Sequence, residues 1–234
     1  MQALGRIAAW LFASLALASC ASSEVTSYQP YQGKIARPDR ILVYDIAASP
    51  ADLPADIAAA SPRALPAASE TPQELATGRE LGTSIAKFLV EDLRAAGLPA
   101  VRVTGAPGPR PGDALVTGYF VSVDPGDAAK RVVLGFGSGA AELKTVIQGF
   151  LMTPQGLSPL GSGEVAAGSG KTPGGAVPLA VAVATANPVG LIVGGAAKAY
   201  GEVSGSETIE GAAERTAQSI AEKLRATAQR QGWI

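Results

Sequence analysis

The sequence predicts an α+β domain in which one mixed β-sheet is covered by two main amphipathic helices. Three observations support this fold class. A strand, a capped helix and a second strand follow one another over residues 40–104, an order that favours a right-handed crossover between parallel strands. Residues 142–152 alternate between apolar and polar side chains, which is typical of a strand with one solvated face. A second amphipathic helix is predicted over 207–231.

The first helix has strong signals at both of its ends. Thr71 can act as the N-cap, Pro72 suits the first helical position, and Glu74 completes a capping box. Gly97 can adopt the left-handed conformation that ends a helix. Between these signals, apolar residues recur at spacings of three and four: Leu81, Ile85, Phe88, Leu89, Leu93 and Ala96. We therefore expect a helix over 71–96.

Several shorter strands are predicted around this helix. Residues 40–44 and 100–104 are rich in β-branched and apolar side chains and should form the parallel pair. Residues 113–123 form a further predicted strand that ends in a turn. A turn at 154–156 should lead into a weaker strand near 157–167. This half of the sheet is expected to be antiparallel.

The last helix and the segment before it differ sharply in composition. The predicted helix has a cap in Ser204–Glu207 and a stop at Gly232, and Trp233 is expected to pack the terminus onto the fold. Residues 176–197 form an apolar Ala/Gly-rich segment without a charged side chain. Two short packed helices, or a helix and a loop, are expected there, and membrane insertion or an oligomer seam are the alternatives.

The amino terminus carries the most specific motif of the chain. A short basic region and an apolar run over 7–18 have the lengths of a secretory signal peptide. The run ends in Leu17, Ala18, Ser19 and Cys20, which match the bacterial lipobox, and Cys20 is the only cysteine. We therefore divide the chain into a signal peptide over 1–19, a polar tether over 20–39 and a single domain over 40–234, with an Ala/Pro-rich loop over 48–70.

The lipobox resembles that of bacterial lipoprotein precursors. The resemblance implies that the Cys20 sulfur is diacylated, that cleavage precedes Cys20, and that its new amino group is acylated. Three acyl chains anchor a protein far more firmly than one. Ala21 stands where the resemblance would place aspartate in a protein retained at the inner membrane, so an outer-membrane anchor facing the periplasm is expected. The alternative is an unpaired thiol beside an ordinary cleavage site.

Composition removes several classes of function. The chain has 19 basic and 20 acidic residues, so its net charge does not favour nucleic acid as a partner. It has no histidine, which removes the commonest general base and the usual zinc ligand. The remaining candidate groups for chemistry are carboxylates, lysines, tyrosines and hydroxyls. The composition therefore favours a binding or structural role over catalysis.

Two glycine-rich stretches imitate nucleotide-binding motifs without completing them. Residues 166–175 contain Gly-Ser-Gly-Lys-Thr, but Val165 stands where a P-loop needs glycine, and Pro173 follows the Lys-Thr pair. Residues 135–140 resemble a dinucleotide fingerprint, but a predicted strand follows them instead of a helix. We expect a flexible connector at the first stretch and a bulge or crowded packing point at the second, with no nucleotide and no cofactor.

The remaining motifs are also incomplete. Ser84 and Lys87 match the Ser-x-x-Lys of penicillin-recognising enzymes, but the companion motifs are missing and Ser84 lies inside a predicted helix. Four aspartates could offer oxygen to a cation but lack EF-hand spacing, and we interpret them as turn formers; they are Asp45, Asp113, Asp124 and Asp127. We expect neither a catalytic residue nor a metal site.

Beyond its lipobox, the chain resembles the bacterial lipoproteins grouped as domain of unknown function 4410. The resemblance rests on Ile41–Tyr44, on the Gly135–Leu143 segment that runs into a strand, and on the closing Ile220–Leu224 helix with Gly232 and Trp233. It implies no catalytic residue, since that family has no assigned activity. The element order is also similar to small periplasmic lipoprotein domains of the curli-secretion and penicillin-binding-protein-activator type, which is an analogy of fold alone.

Taken together, the sequence predicts a non-enzymatic lipoprotein of the outer membrane that acts in the periplasm by protein contact. Its expected partners are the membrane, through the lipid on Cys20, and either an unknown envelope protein or a second copy of the chain. Two alternatives remain open. One is a periplasmic small-ligand carrier or carboxylate-dependent enzyme, and the other is a membrane-associated oligomer that uses residues 176–197.

Overall fold

The computed structural model describes residues 22–61, 71–105, 108–124, 141–168 and 208–234. Six strands and three α-helices lie in these ranges. The strands are β1 (Ser22–Pro30), β2 (Ile41–Val43), β3 (Ala100–Arg102), β4 (Ala114–Asp124), β5 (Glu142–Thr153) and β6 (Gly156–Gly168). The helices are α1 (Ala55–Ala60), α2 (Pro72–Ala95) and α3 (Ile209–Gln231), and a short 3₁₀ helix spans Pro50–Asp52.

The strands form one mixed sheet in the order β1-β6-β5-β4-β2-β3. Strand β2 pairs in parallel with both β3 and β4. The pairs β4–β5, β5–β6 and β6–β1 are antiparallel. The predicted fold class is therefore confirmed. The predicted parallel pair is also confirmed: its strands are β2 and β3, which precede and follow α2 in the sequence.

The sheet buries different residues on its two faces. On one face, α2 and α3 cover the main core. The buried residues of this core include Val43, Val116, Leu143, Val165, Ile85 and Ile220. Helix α3 contributes mostly small side chains to this core, among them Ala212, Ala213 and Ala217, so it can lie close to the sheet. On the other face, Ile57 of α1 packs in a smaller cluster with Tyr119 and Phe150.

The helix ends follow the sequence signals closely. The Thr71 hydroxyl accepts from the Glu74 amide at 3.3 Å, and the Glu74 carboxylate accepts from the Thr71 amide at 2.7 Å. The bonds that the carboxylate accepts hold the pKa of the Glu74 carboxyl below its usual range. Gly232 ends α3 in the left-handed conformation with φ of 76°. The N-cap of α3 is Thr208, whereas the sequence predicted Ser204–Glu207, so that prediction was wrong in position.

Three predictions about irregular segments have different outcomes. The expected tether over 20–39 is wrong for residues 22–30, because they form β1 and pair with β6. The expected loop over 48–70 contains the 3₁₀ helix and α1. The uncharged segment 176–197 lies outside the described residues. None of the helices in the described part of the chain combines the length and apolar composition that crossing a bilayer requires.

Helix α2 touches the backbone that follows β2, and Gly82 is the point of contact. A Cβ atom at Gly82 would lie 2.1 Å from the carbonyl oxygen of Ile46. The Ile46 amide also donates to the Gly82 carbonyl at 3.4 Å. Next to this contact, the side chain of Ile46 lies over Gly118 of β4, where a Cβ would be 3.2 Å from its Cδ1. Gly82 therefore lets α2 meet the loop backbone without an intervening side chain, and Gly118 leaves room for the side chain of Ile46.

We predict that Gly82→Ala destabilises the protein by about 1–3 kcal/mol, since a methyl group forced against backbone must displace α2. The same change at an unobstructed helix position would instead stabilise the protein by about 1 kcal/mol. The sign of the change in the free energy of unfolding therefore shows whether the position is obstructed. Thermal or urea unfolding of the full chain measures the effect. Lys87→Ala on the exposed side of α2 is the control and should change stability by less than about 0.5 kcal/mol. A Gly82→Ala protein as stable as the parent would contradict the close contact.

Candidate contact surface

Strand β1 forms one edge of the sheet, because it pairs with β6 and, within the described residues, with no other strand. Its first five residues run in regular register from Ser22 opposite Gly168 to Thr26 opposite Glu164. Val25 joins the partly buried side chains packed on the main core. The hydroxyl groups of Ser23 and Ser219 form a hydrogen bond that ties β1 to α3. Edge strands of this kind leave backbone donors and acceptors available to a partner.

The second half of β1 is interrupted by a bulge. The register shifts between Thr26 and Gln29, and Ser27 has φ of 53°, a value that few residues other than glycine adopt. Pro30 ends the strand and has no amide hydrogen to donate. Bulges and edge prolines both oppose open-ended pairing of strands between molecules. The regular part of the free edge is thus limited to Ser22–Thr26.

Two tyrosines beside the bulge are exposed to solvent. Tyr28 is 39% exposed and Tyr31 is 48% exposed. The Tyr28 hydroxyl lies 2.8 Å from the Thr227 hydroxyl and 3.4 Å from the Arg230 guanidinium, so α3 fixes its orientation. We call the free edge of β1 together with Tyr28 and Tyr31 the edge surface. Exposed tyrosines of limited mobility are enriched in protein interfaces.

The lipobox residues Leu17, Ala18, Ser19 and Cys20 lie outside the described residues, so their positions are not part of the structure. In the sequence, however, Cys20 stands close to the first strand. Ser22, the first residue of β1, is two positions further along the sequence, and two residues of chain span at most about 7 Å. Only Ala21 separates Cys20 from the sheet in the sequence.

Two of the four aspartates considered as cation ligands each hold an arginine in the structure. Asp45 follows β2 and binds Arg102 through a 2.6 Å hydrogen bond to the guanidinium, and it also accepts from the Thr83 hydroxyl at 2.8 Å. Asp113 precedes β4 and pairs with Arg40, just before β2. Asp127 lies outside the described residues. Within the described ranges there is no cluster of three or more His, Cys, Asp or Glu side chains suited to a metal ion.

The ion pair of Asp113 with Arg40 has a structural role. Burial by itself would raise the pKa of the Asp113 carboxyl, but hydrogen bonds from the Arg40 guanidinium and from the Arg110 backbone amide outweigh burial and leave the pKa below its usual value. The carboxylate therefore stays charged and joins the beginning of β2 to the beginning of β4. The interpretation of Asp45 and Asp113 as simple turn formers was incomplete, since each holds an arginine.

The sequence motifs fall in different parts of the structure. Ser84 lies in the interior of α2, and its hydroxyl donates to the Glu80 carbonyl at 3.0 Å, as expected for a helical serine. Residues 135–140 lie outside the described residues, as do Lys171 and Pro173. Sequence reasoning missed the edge surface altogether. The local sequence signal for the edge surface was the occurrence of Val25, Tyr28 and Tyr31 at intervals of three residues within a polar stretch.

Comparison with known proteins gives distant structural neighbours and a family. A dodecamer of a PelC point variant from Paraburkholderia phytofirmans shares 16% identity, with a TM-score of 0.38, over 65% of this chain and 85% of that chain. A second PelC dodecamer from the same organism shares 15% identity, with a TM-score of 0.34, over 63% of this chain and 81% of that chain. No curated protein matches. The sequence model described as "Domain of unknown function (DUF4410)" matches residues 41–186, more than half of the chain, and the protein therefore belongs to that family.

Proposed function

We propose that this protein is a lipoprotein anchored in the outer membrane through Cys20, and that it acts in the periplasm without catalysis, by contact with another envelope protein. The observation that carries the proposal is the position of Cys20. It ends a complete lipobox and is the only cysteine of the chain, and the first sheet strand begins two residues later. A lipid at this position would hold the folded domain directly at the membrane, without a long tether between them.

The geometry of β1 suggests how such an anchor would orient the domain. From Ser22 to Pro30 the strand advances eight residues, which corresponds to roughly 27 Å at the usual rise of a strand. If the Ser22 end lies at the membrane, the Tyr28 and Tyr31 part of the edge surface projects towards the periplasm. This arrangement favours a protein partner over the lipid surface for the exposed tyrosines.

We predict that the full chain expressed in a bacterial host incorporates an alkyne fatty acid, and that Cys20→Ala abolishes the incorporation, because the thiol is the acceptor of the first acyl chains. Ser22→Ala is the matched control and should be labelled like the parent protein. In-gel fluorescence after click coupling measures the label, and an antibody against the protein normalises the amounts. Equal labelling of the parent and Cys20→Ala would contradict the anchor. Sedimentation of the parent with inner-membrane vesicles alone would contradict the outer-membrane assignment.

We also predict that a photo-crosslinking amino acid at Tyr31 captures a protein partner in intact cells. Val101, which is 40% exposed on strand β3 at the opposite edge of the sheet, is the matched control position and should give little or no adduct. Mass spectrometry of the adduct distinguishes an envelope protein from a second copy of this chain. Adducts of equal yield at both positions, or none at Tyr31, would contradict the role of the edge surface.

A further inference from the structure

The structure contains a second feature that the lipid anchor does not use, a cavity beneath the carboxyl-terminal half of α3. Its volume is about 120 Å³, and it lies between α3, the inner face of the sheet and the chain that follows β1. Val25, Ile41, Leu98, Ile147, Leu224 and Trp233 contribute to an almost wholly apolar lining. A cavity of about 150 Å³ with an apolar lining stays dry and accepts benzene. A space of this size and polarity therefore suits a small hydrocarbon group better than water.

The floor of the cavity is built from glycines. Gly149 of β5, and Gly161 and Gly163 of β6, line it. A Cβ added at Gly149 would have its nearest neighbour at 3.7 Å, and one added at Gly163 would have it at 3.5 Å. Both distances are ordinary contacts, so packing alone does not require glycine at either position. The missing side chains leave open a volume that alanine or valine would fill.

The mouth of the cavity is positively charged. Lys223 lines the cavity and is exposed to solvent, so the cavity reaches the surface beside it. Roughly two turns further along α3, the Arg230 guanidinium binds the Thr227 hydroxyl at 2.9 Å. The Lys34 ammonium lies nearby and donates to the Arg230 carbonyl at 3.3 Å. In the described residues, none of these three cations forms an ion pair with a carboxylate.

We propose that this cavity binds the alkyl chain of a medium-chain carboxylate, with the carboxylate at Lys223 and Arg230. The apolar cavity would bury the alkyl chain. The cations at its mouth would donate charge-assisted hydrogen bonds to the carboxylate. The volume suits a segment of about six carbons, so a chain of about eight carbons places its carboxylate at the surface. This site does not depend on the lipid at Cys20, but it adjoins the edge surface, because Tyr28 and Tyr31 also line the cavity.

The mouth is held in place by contacts between distant parts of the chain. The Ile35 amide donates to the Gln231 side chain at 3.0 Å, and the Trp233 indole donates to the Ile35 carbonyl at 3.1 Å. The Gln231 side-chain amide donates to the Gly33 carbonyl at 2.8 Å. These bonds attach the segment after β1 to the end of α3. The cavity is thus formed before any ligand arrives, which reduces the entropic cost of binding.

The test is photolabelling of the full-length protein in phosphatidylcholine nanodiscs with an octanoate that carries a diazirine near its methyl end. Mass spectrometry should locate the label on peptides that contain Val25, Ile147 or Leu224. Unlabelled octanoate should compete, and octylammonium should not, because its charge is repelled by Lys223 and Arg230. Label that is spread over peptides outside the cavity, or that both competitors reduce equally, would overturn the proposal.

Variants separate the cavity from its mouth. Gly163→Val fills the cavity and should reduce labelling about tenfold, equivalent to a loss of about 1.4 kcal/mol. Lys223→Gln should weaken labelling, and Lys87→Gln on the exposed side of α2 should leave it unchanged. Circular dichroism checks the fold of each variant. If Gly163→Val does not fold, the double variant Gly149→Ala with Gly163→Ala fills the same space with two methyl groups. Unreduced labelling in a folded, filled variant would overturn the proposal.

Discussion

The close approach of α2 to the chain after β2 is the constraint on which the fold depends. A helix can cover a parallel strand pair only at the distance that its nearest residues allow. Here the nearest residue is Gly82, where a Cβ atom would lie 2.1 Å from the Ile46 carbonyl oxygen. This contact lets Leu81, Ile85 and Leu89 reach the core without a gap. The position of α2 in turn fixes the place of α3, which packs beside it on the same face of the sheet.

The same sheet relates the fold to the proposed anchor. Strand β1 is the farthest of the six strands from β3, and it belongs to the sheet through its pairing with β6. Its side chains also contact α3, through Ser23 with Ser219 and Tyr28 with Thr227. A lipid on Cys20 would therefore be attached to a packed strand rather than to a freely moving segment. The proposed anchor precedes β1, and the exposed tyrosines lie at and just beyond the other end of the strand.

The sequence predicted well the parts of the fold that depend on local patterns. Helix α2 was predicted at both ends because Thr71, Glu74 and Gly97 act on their immediate neighbours. Strand β5 was predicted from periodicity, which reports directly on a buried face, and β4 was predicted as a strand closed by turn-forming residues. Thr208 was missed as the cap of α3 because several nearby hydroxyl residues fit the same pattern. These errors of position are small because the helix itself is strongly amphipathic.

Features that depend on distant contacts could not be predicted in this way. Strand β1 has a polar composition that is typical of a tether, and only its pairing with β6 makes it a strand. The cavity is formed by residues from both ends of the chain, since Tyr28 meets Thr227 across 199 positions. Lys223 and Arg230 are ordinary charged residues near the end of a helix in the sequence alone. Their significance comes only from the apolar space beside them.

The sheet extends to within two residues of Cys20 in the sequence, so an anchor there would hold the domain directly. Amide hydrogen exchange of residues 22–30 in the full-length protein, followed by mass spectrometry, measures whether this segment is part of the sheet in solution. We expect slow exchange for those amides of Ser22–Thr26 that bond to β6, at rates similar to the β6 amides opposite them. Exchange of the whole segment at the rate of an unstructured peptide would show that these residues are a tether and not a strand of the sheet.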